Sequence, residues 1–173
     1  MNSRTYHCDV GLVGYPNAGK STLFNALTGR TDSRVMPRFS PIKQHTENKE
    51  SDLVLADMCG ISRGAPGKPL GSPFLKYLES ARILVFVMRY NGRRGLFDLQ
   101  YMADRYEFLL SVCNEKDGFA EKKRIITVNT GEDMDNEAHK FMKMKFSPVS
   151  VIPINAKTGL GLFRLEEEIR RIV

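Results

Sequence analysis

Cysteine and histidine are scarce in this chain. Its 173 residues hold three of each, and Cys8, Cys59 and Cys113 stand far apart. No Cys-x-x-Cys pair occurs, so neither a disulfide framework nor a zinc site is expected, and a reducing compartment suits the odd count. Long apolar runs are also missing. No stretch reaches the roughly 20 residues that cross a bilayer as a helix, which predicts no membrane insertion. The first eight residues are too short and too polar for a secretory leader. Internal repeats and low-complexity tracts are lacking as well. What is present is ordinary for a globular protein: 42% apolar and 27% charged residues, in a length that suits one compact domain, residues 1–173, with a real core. Positive charge is in excess, with 26 Lys and Arg against 20 Asp and Glu. A formal charge of +6 fits a polyanionic partner such as RNA, and equally fits solvated lysines on helix faces. Residues 63 to 94 hold seven basic side chains against Glu79 alone, so a basic surface there is plausible.

Apolar runs alternate with amphipathic segments, which predicts an α/β fold with a parallel sheet. Strands are expected at 10–13, 53–56, 83–88, 124–128 and 149–154. Helices are expected from about Lys20 to Gly29, around Phe74, Leu75 and Leu78, around Leu99, Met102, Tyr106, Leu109 and Cys113, over 133–146, and at the end, where Leu162, Leu165, Ile169 and Ile172 form one stripe. Glu166 to Glu168, Arg170 and Arg171 are then expected mostly outside. Residues 30–50 have no apolar period and contain Pro37 and Pro41, so they read as one long mobile loop, and 60–71 as a second loop.

The chemistry is concentrated where the first strand ends. Gly14-Tyr15-Pro16-Asn17-Ala18-Gly19-Lys20-Ser21 fits the phosphate-loop spacing G-x-x-x-x-G-K-[ST] between a strand and a helix. Glycines at 14 and 19 permit backbone angles and approaches that a β-carbon would block. Backbone N–H groups of Asn17, Ala18, Gly19, Lys20, Ser21 and Thr22 are expected to form an anion nest at the positive end of the helix. Lys20 suits the β- and γ-phosphates, and the Ser21 hydroxyl suits Mg²⁺. Asp57, at the end of the second long strand, is placed to hold Mg²⁺ through water, and the Gly60 N–H to reach a γ-phosphate. The plainer reading of Asp57-x-x-Gly60 is a strand-terminating turn.

The stretches GLVGYPNAGKSTLFNALTG, LADMCGISRGAPGKPLGSPFLKYLESARILVFV and IPINAKTGLGL resemble the G domain of the Obg family of P-loop GTPases, in order and spacing from about Asp9 to Val173. The resemblance implies a three-layer α/β/α domain with a mostly parallel sheet. It also implies GTP and GDP as ligands with Mg²⁺, and work on a precursor of the large ribosomal subunit, through ribosomal RNA and ribosomal proteins. The family's glycine-rich N-terminal domain has no counterpart in these 173 residues. Basic assembly factors of this kind suit the mitochondrial matrix or the cytoplasm, the matrix being favoured. The sequence leaves the oligomeric state open.

Against the family pattern the chain departs in several places. Where a threonine closes onto Mg²⁺ and the γ-phosphate, this chain has Pro41, which offers neither hydroxyl nor N–H; Ser40 and Thr46 are the nearest substitutes. Cys59 replaces the proline of Asp-x-Pro-Gly. Ile61 stands where Ras-like proteins have a water-orienting glutamine, as is usual in Obg-like proteins, so slow hydrolysis is expected. In the guanine-reading segment Asn129 is kept, the lysine is Thr130, and the acid is Glu132, or Asp133 if the loop bulges. Losing one buried charged hydrogen-bond pair costs roughly 1.5–3 kcal/mol, enough to erode base preference. In Asn155-Ala156-Lys157 the Ala156 N–H is expected at the guanine O6 and Lys157 over the ring. Arg89 ends the apolar strand where an acid is common; its plainer reading is a surface arginine. The expected function is a guanine-nucleotide-binding Obg-like protein in large-subunit assembly with weak or lost hydrolysis. The alternative is a docking module on ribosomal RNA or protein without turnover.

Overall fold

In a computed structural model of the protein, residues 8–30, 38–43, 50–57, 60–61, 79–114, 118–130, 134 and 136–173 are described, with the backbone alone at 38–43 and 50–52. Six strands form one sheet: β1 (Val10–Val13), β2 (Arg38–Lys43), β3 (Glu50–Asp57), β4 (Ile83–Tyr90), β5 (Lys123–Thr130) and β6 (Ser150–Ile154). Their spatial order is β2-β3-β1-β4-β5-β6. All neighbours are parallel except β2, which runs antiparallel to β3 at the edge. Four helices are described: α1 (Lys20–Thr28), α2 (Leu96–Asn114), α3 (Asn136–Phe146) and α4 (Leu162–Ile172).

The helices cover both faces of the sheet, so its central strands are apolar on both sides. In β4 the alternation is visible residue by residue. Ile83, Val85 and Val87 join Leu23, Phe24 and Leu27 of α1 and Leu162, Leu165 and Ile169 of α4. Leu84, Phe86 and Met88 join Leu99, Met102 and Tyr106 of α2 and Ala138, Met142 and Phe146 of α3. The period of two in the strand sends neighbouring residues to opposite faces, while steps of three and four keep each helix stripe on one. Burying each large apolar side chain contributes about 1.5–3 kcal/mol. Tyr106 packs edge-on against both Phe86 and Phe146, at centroid distances of 5.1 and 4.9 Å.

At the amino ends of the strands, Asp9 and Arg82 tie the chain together. The Asp9 carboxylate accepts the Val54 N–H at 2.8 Å, and its carbonyl accepts the N–H groups of Arg82 and Ile83. The Arg82 guanidinium donates to the carbonyl of Val173, and Lys123 donates to that of Ile172.

Three expectations are corrected. Residues 30–50 are not one loop, because β2 lies within them and pairs from Arg38↔Asp57 to Lys43↔Glu50, with a register shift between Pro41 and Lys43. An edge strand needs only one partner and tolerates proline and a bulge, so it carries no apolar signature. Glu166 is not outside but 5% exposed. Its Oε1 accepts Nε and Nη2 of Arg170 at 3.2 and 2.8 Å, while Oε2 is buried with no hydrogen bond among the described residues. The helix expected over 133–146 starts at Asn136. The expected helix around Phe74, Leu75 and Leu78, most of 60–71, Thr46, Cys59 and three of the seven basic residues of 63–94 (Arg63, Lys68 and Lys76) lie outside the described residues, while Arg82, Arg89, Arg93 and Arg94 are exposed. Among the described residues no helix is long and apolar enough to cross a membrane, and no cluster of three His, Cys, Asp or Glu is placed for a metal.

Candidate nucleotide site

Parallel α/β sheets leave a crevice at the carboxyl ends of their strands, where neighbouring connections part to opposite faces. Here β1 leads into the 14–19 loop and α1, and β5 and β6 end beside it. The result is a cleft of about 640 Å³ lined by Asn17, Gly19, Lys20, Ser21, Thr22, Arg89, Asn129, Thr130, Asn155, Lys157 and Thr158. Its volume is that of a small-molecule site. Its described lining holds three cations, Lys20, Arg89 and Lys157, and no carboxylate, which favours an anionic ligand.

The loop is held by specific contacts. Gly19 caps α1 at φ 99° and ψ 15°, a backbone open to glycine and strained for other residues. A β-carbon there would also sit 2.1 Å from Asn129 Nδ2. Asn17 takes φ 63°, the left-handed region that asparagine tolerates better than most residues. Lys20 is 5% exposed and folds back over the loop, donating to the carbonyls of Gly14 at 3.2 Å and Tyr15 at 2.8 Å. Ser21 and Thr22 line the cleft from the first turn of α1. The Ala18 N–H, expected in the nest, donates back to the Tyr15 carbonyl at 3.3 Å.

Asp57 is fully buried at the carboxyl end of β3, in register with Leu12 of β1. Gly60 abuts the loop so closely that a β-carbon would lie 2.6 Å from Pro16 N. The next N–H, of Ile61, donates to the Gly14 carbonyl at 3.1 Å. Ile61 itself is 6% exposed, so an apolar side chain fills that place. Ser21 and Asp57 are hard oxygen donors of the kind Mg²⁺ takes, one or two at a time, alongside phosphate and water.

On the base side, Asn129 acts as a brace. Its Nδ2 donates to the Ala18 carbonyl, and its Oδ1 accepts the Ala156 N–H, both at 3.2 Å. A contact between Ala156 N–H and guanine O6 therefore shares that hydrogen with Asn129. Asn155 Oδ1 accepts the N–H groups of Lys157 and Thr158 at 3.0 and 3.1 Å, a side-chain turn that shapes the loop. Thr130 is 5% exposed and its hydroxyl donates to the Ile154 carbonyl at 3.4 Å. Glu132 and Asp133 lie outside the described residues.

Two contributions were not visible as such in the sequence. Arg89 is exposed, as its surface reading requires, yet it lines the cleft. Its place directly after the apolar run was the available signal. Tyr15 carries the Arg105 guanidinium of α2 at 4.2 Å from its ring, and Tyr101 takes the same cation at 4.2 Å. The outside of the loop is thereby clamped to a helix, a contact between residues ninety positions apart that no local pattern announces.

With this geometry in view, the chain compares with known proteins as follows. A family model described as 50S ribosome-binding GTPase matches residues 9–130. The GTPase Obg of Akkermansia muciniphila is 30% identical over 173 residues, covering 95% of this chain and 48% of that protein. The probable GTP-binding protein OBGM, mitochondrial, of Arabidopsis thaliana is 30% identical over 179 residues, covering 95% and 35%. The chain thus spans half or less of these curated relatives. A GTP-binding protein from Sulfolobus solfataricus, solved in complex with GDP, superposes with a TM-score of 0.66 at 25% identity, over 95% of this chain and 52% of that one. The FeoB G-domain of Methanococcus jannaschii, at 19% identity and TM-score 0.55, shares the fold. The chain belongs to the family of 50S ribosome-binding GTPases, as a P-loop GTPase domain of the Obg kind.

Proposed function

We propose that residues 1–173 form one Obg-type G domain that binds GTP and GDP with Mg²⁺ in the cleft between the 14–19 loop and the 129–157 segments. The observation that carries this reading is the cleft itself, a cationic crevice whose two halves are joined by the Asn129 side chain. In it the loop amides, Lys20, Ser21 and Thr22 take the phosphates. Ser21 and Asp57 would hold Mg²⁺, which would supply neutralisation of charge on the phosphate oxygens. Gly60 approaches the terminal phosphate, Ala156, Lys157 and Asn129 face the base, and Glu132 is assigned to base reading on the sequence alone. Turnover is slow: Ile61 cannot orient a water, and Pro41 lies within β2, opposite Val54, with no hydroxyl to offer. The partner is a precursor of the large ribosomal subunit, met through RNA and protein, in the mitochondrial matrix or the cytoplasm. Relatives named GTPase Obg and a mitochondrial relative support that assignment.

The test titrates fluorescent GDP, GTP and ATP against the chain and against Lys20→Ala. Guanine nucleotides are expected to bind, with at least a tenfold loss in the variant. Equal, negligible signals from both proteins would sink the reading. A specific observation favours a second reading, the docking module without turnover: the neutral Thr130 and the proline in β2 remove groups that a nucleotide switch uses. Multiple turnovers at the rate of an active GTPase would exclude it.

A further inference from the structure

Among the described lining residues of the cleft, Arg89 is the one charged residue that the nucleotide motifs do not account for. It stands at the end of β4, with Asn129 of β5 as its register partner. Its Nε donates to Asn91 Oδ1 at 3.1 Å and its Nη1 to the Asn17 carbonyl at 3.4 Å. The fork of the guanidinium thus reaches from the strand end to the phosphate loop.

The loop carbonyls can be taken in order. Gly14 O accepts from Ile61 N–H and Lys20, Tyr15 O from Ala18 N–H and Lys20, Asn17 O from Arg89, and Ala18 O from Asn129. Two neighbouring strand ends therefore fasten two consecutive peptide units. A peptide unit is planar, so fixing its carbonyl fixes the whole unit. The unit Arg89 fastens follows Asn17, the one non-glycine residue at positive φ among the described residues. Such a backbone persists only when its surroundings hold it.

Charge gives a second, separate argument. The β5 residues of the cleft lining, Asn129 and Thr130, are both neutral, and Arg89 is the register partner of Asn129. The adjacent strand therefore brings a cation to the cleft that Lys157 also lines.

We infer that Arg89 is a nucleotide-site residue of this chain, which holds the Asn17 peptide of the phosphate loop in place and supplies from β4 the positive charge that Thr130 on β5 does not. The ligand class is a nucleoside di- or triphosphate, and the inference rests on the nucleotide reading of the cleft. Arg89 is a positioning residue for the loop and a source of field for the polyphosphate.

The experiment is calorimetric titration of GDP into the whole chain, R89A and R89K, at two salt concentrations, with a melting curve of each protein alone. R89A is expected to bind GDP about tenfold more weakly. Its affinity is expected to fall less with salt, because a cation has left the cleft. R89K is expected to recover most of the loss, and all three proteins to melt alike, since Arg89 is exposed. GDP binding by R89A within twofold of the unaltered chain would overturn the role of Arg89 alone. R89K no better than R89A, with an unchanged salt response, would overturn the charge argument. No GDP binding by the unaltered chain would overturn the nucleotide reading itself, and this role with it.

Discussion

Asn129 touches both halves of the cleft with one carboxamide, and Gly19 is the residue that makes room for it. The pair explains why a small alteration here has a large effect. Asn129→Ala leaves the Ala18 carbonyl and the Ala156 N–H without their side-chain partner, at a cost of about 1–3 kcal/mol. For a chain of this size that corresponds to a melting-point loss of roughly 2–12 °C, read by scanning calorimetry. Asn129→Asp keeps the acceptor for Ala156 but sets a carboxylate against the Ala18 carbonyl and into the cleft proposed for the phosphates. It is therefore expected to bind GDP more weakly than Asn129→Ala, and equal affinities would contradict the brace. The sequence announced the loop residues because their chemistry is local, a fixed spacing between a strand and a helix. It named Asn129 as a base reader but could not show the brace. That contact exists only because β1 and β5, with β4 between them, end on the same side of the sheet and so join residues 111 positions apart in the chain.

Elements buried on both faces were legible in advance, and those at the margin were not. The continuous run of β4 and the stripes of α1, α2 and α4 announce themselves because packing imposes a period on them. β2 has one neighbour and a proline, so nothing in its sequence sets it apart from a loop. Glu166 was misplaced for a related reason: a helix period locates a stripe but not its width, and Arg170 lets a carboxylate lie inside the margin. α3 carries a pH dependence. Desolvation first, then Lys143 of its own helix and Arg164 of α4, hold the His139 imidazole below its ordinary value, against a raising hydrogen bond with the Val151 backbone. A depressed folded-state pKa means that the unfolded chain takes the proton first. His139 therefore contributes its full stability above the unfolded value of about 6.5, and that contribution is lost as pH falls from there through the folded pKa. Denaturant midpoints should decline over this window in the unaltered chain and flatten in His139→Gln. Parallel curves for the two proteins would remove His139 as the cause.

At the scale of the molecule, the sheet separates two apolar layers that share none of the four described helices, and the reduced cysteines Cys8 and Cys113 sit in the same layer. Burial pushes the Cys113 thiol up to about 11 and raises that of Cys8. The thiolate is the reactive form, so iodoacetamide at pH 8 should modify both residues in urea and neither in the folded chain, as read by peptide mass spectrometry. GDP at a hundredfold excess over its Kd adds about 2.7 kcal/mol and should slow whatever labelling passes through unfolding by about a hundredfold. An unchanged labelling rate would mean that GDP does not stabilise this fold. The fold class was readable from alternation, whereas the pairing of helices to faces was not, since it depends on the order in which the strands assemble.

Asp9 and Val173 both meet Arg82, so the start of β1 and the end of α4 are tied together on the rim of the sheet opposite the cleft. Arg82 is thus a rivet between the head of β1 and the tail of α4, two elements at opposite ends of the described chain.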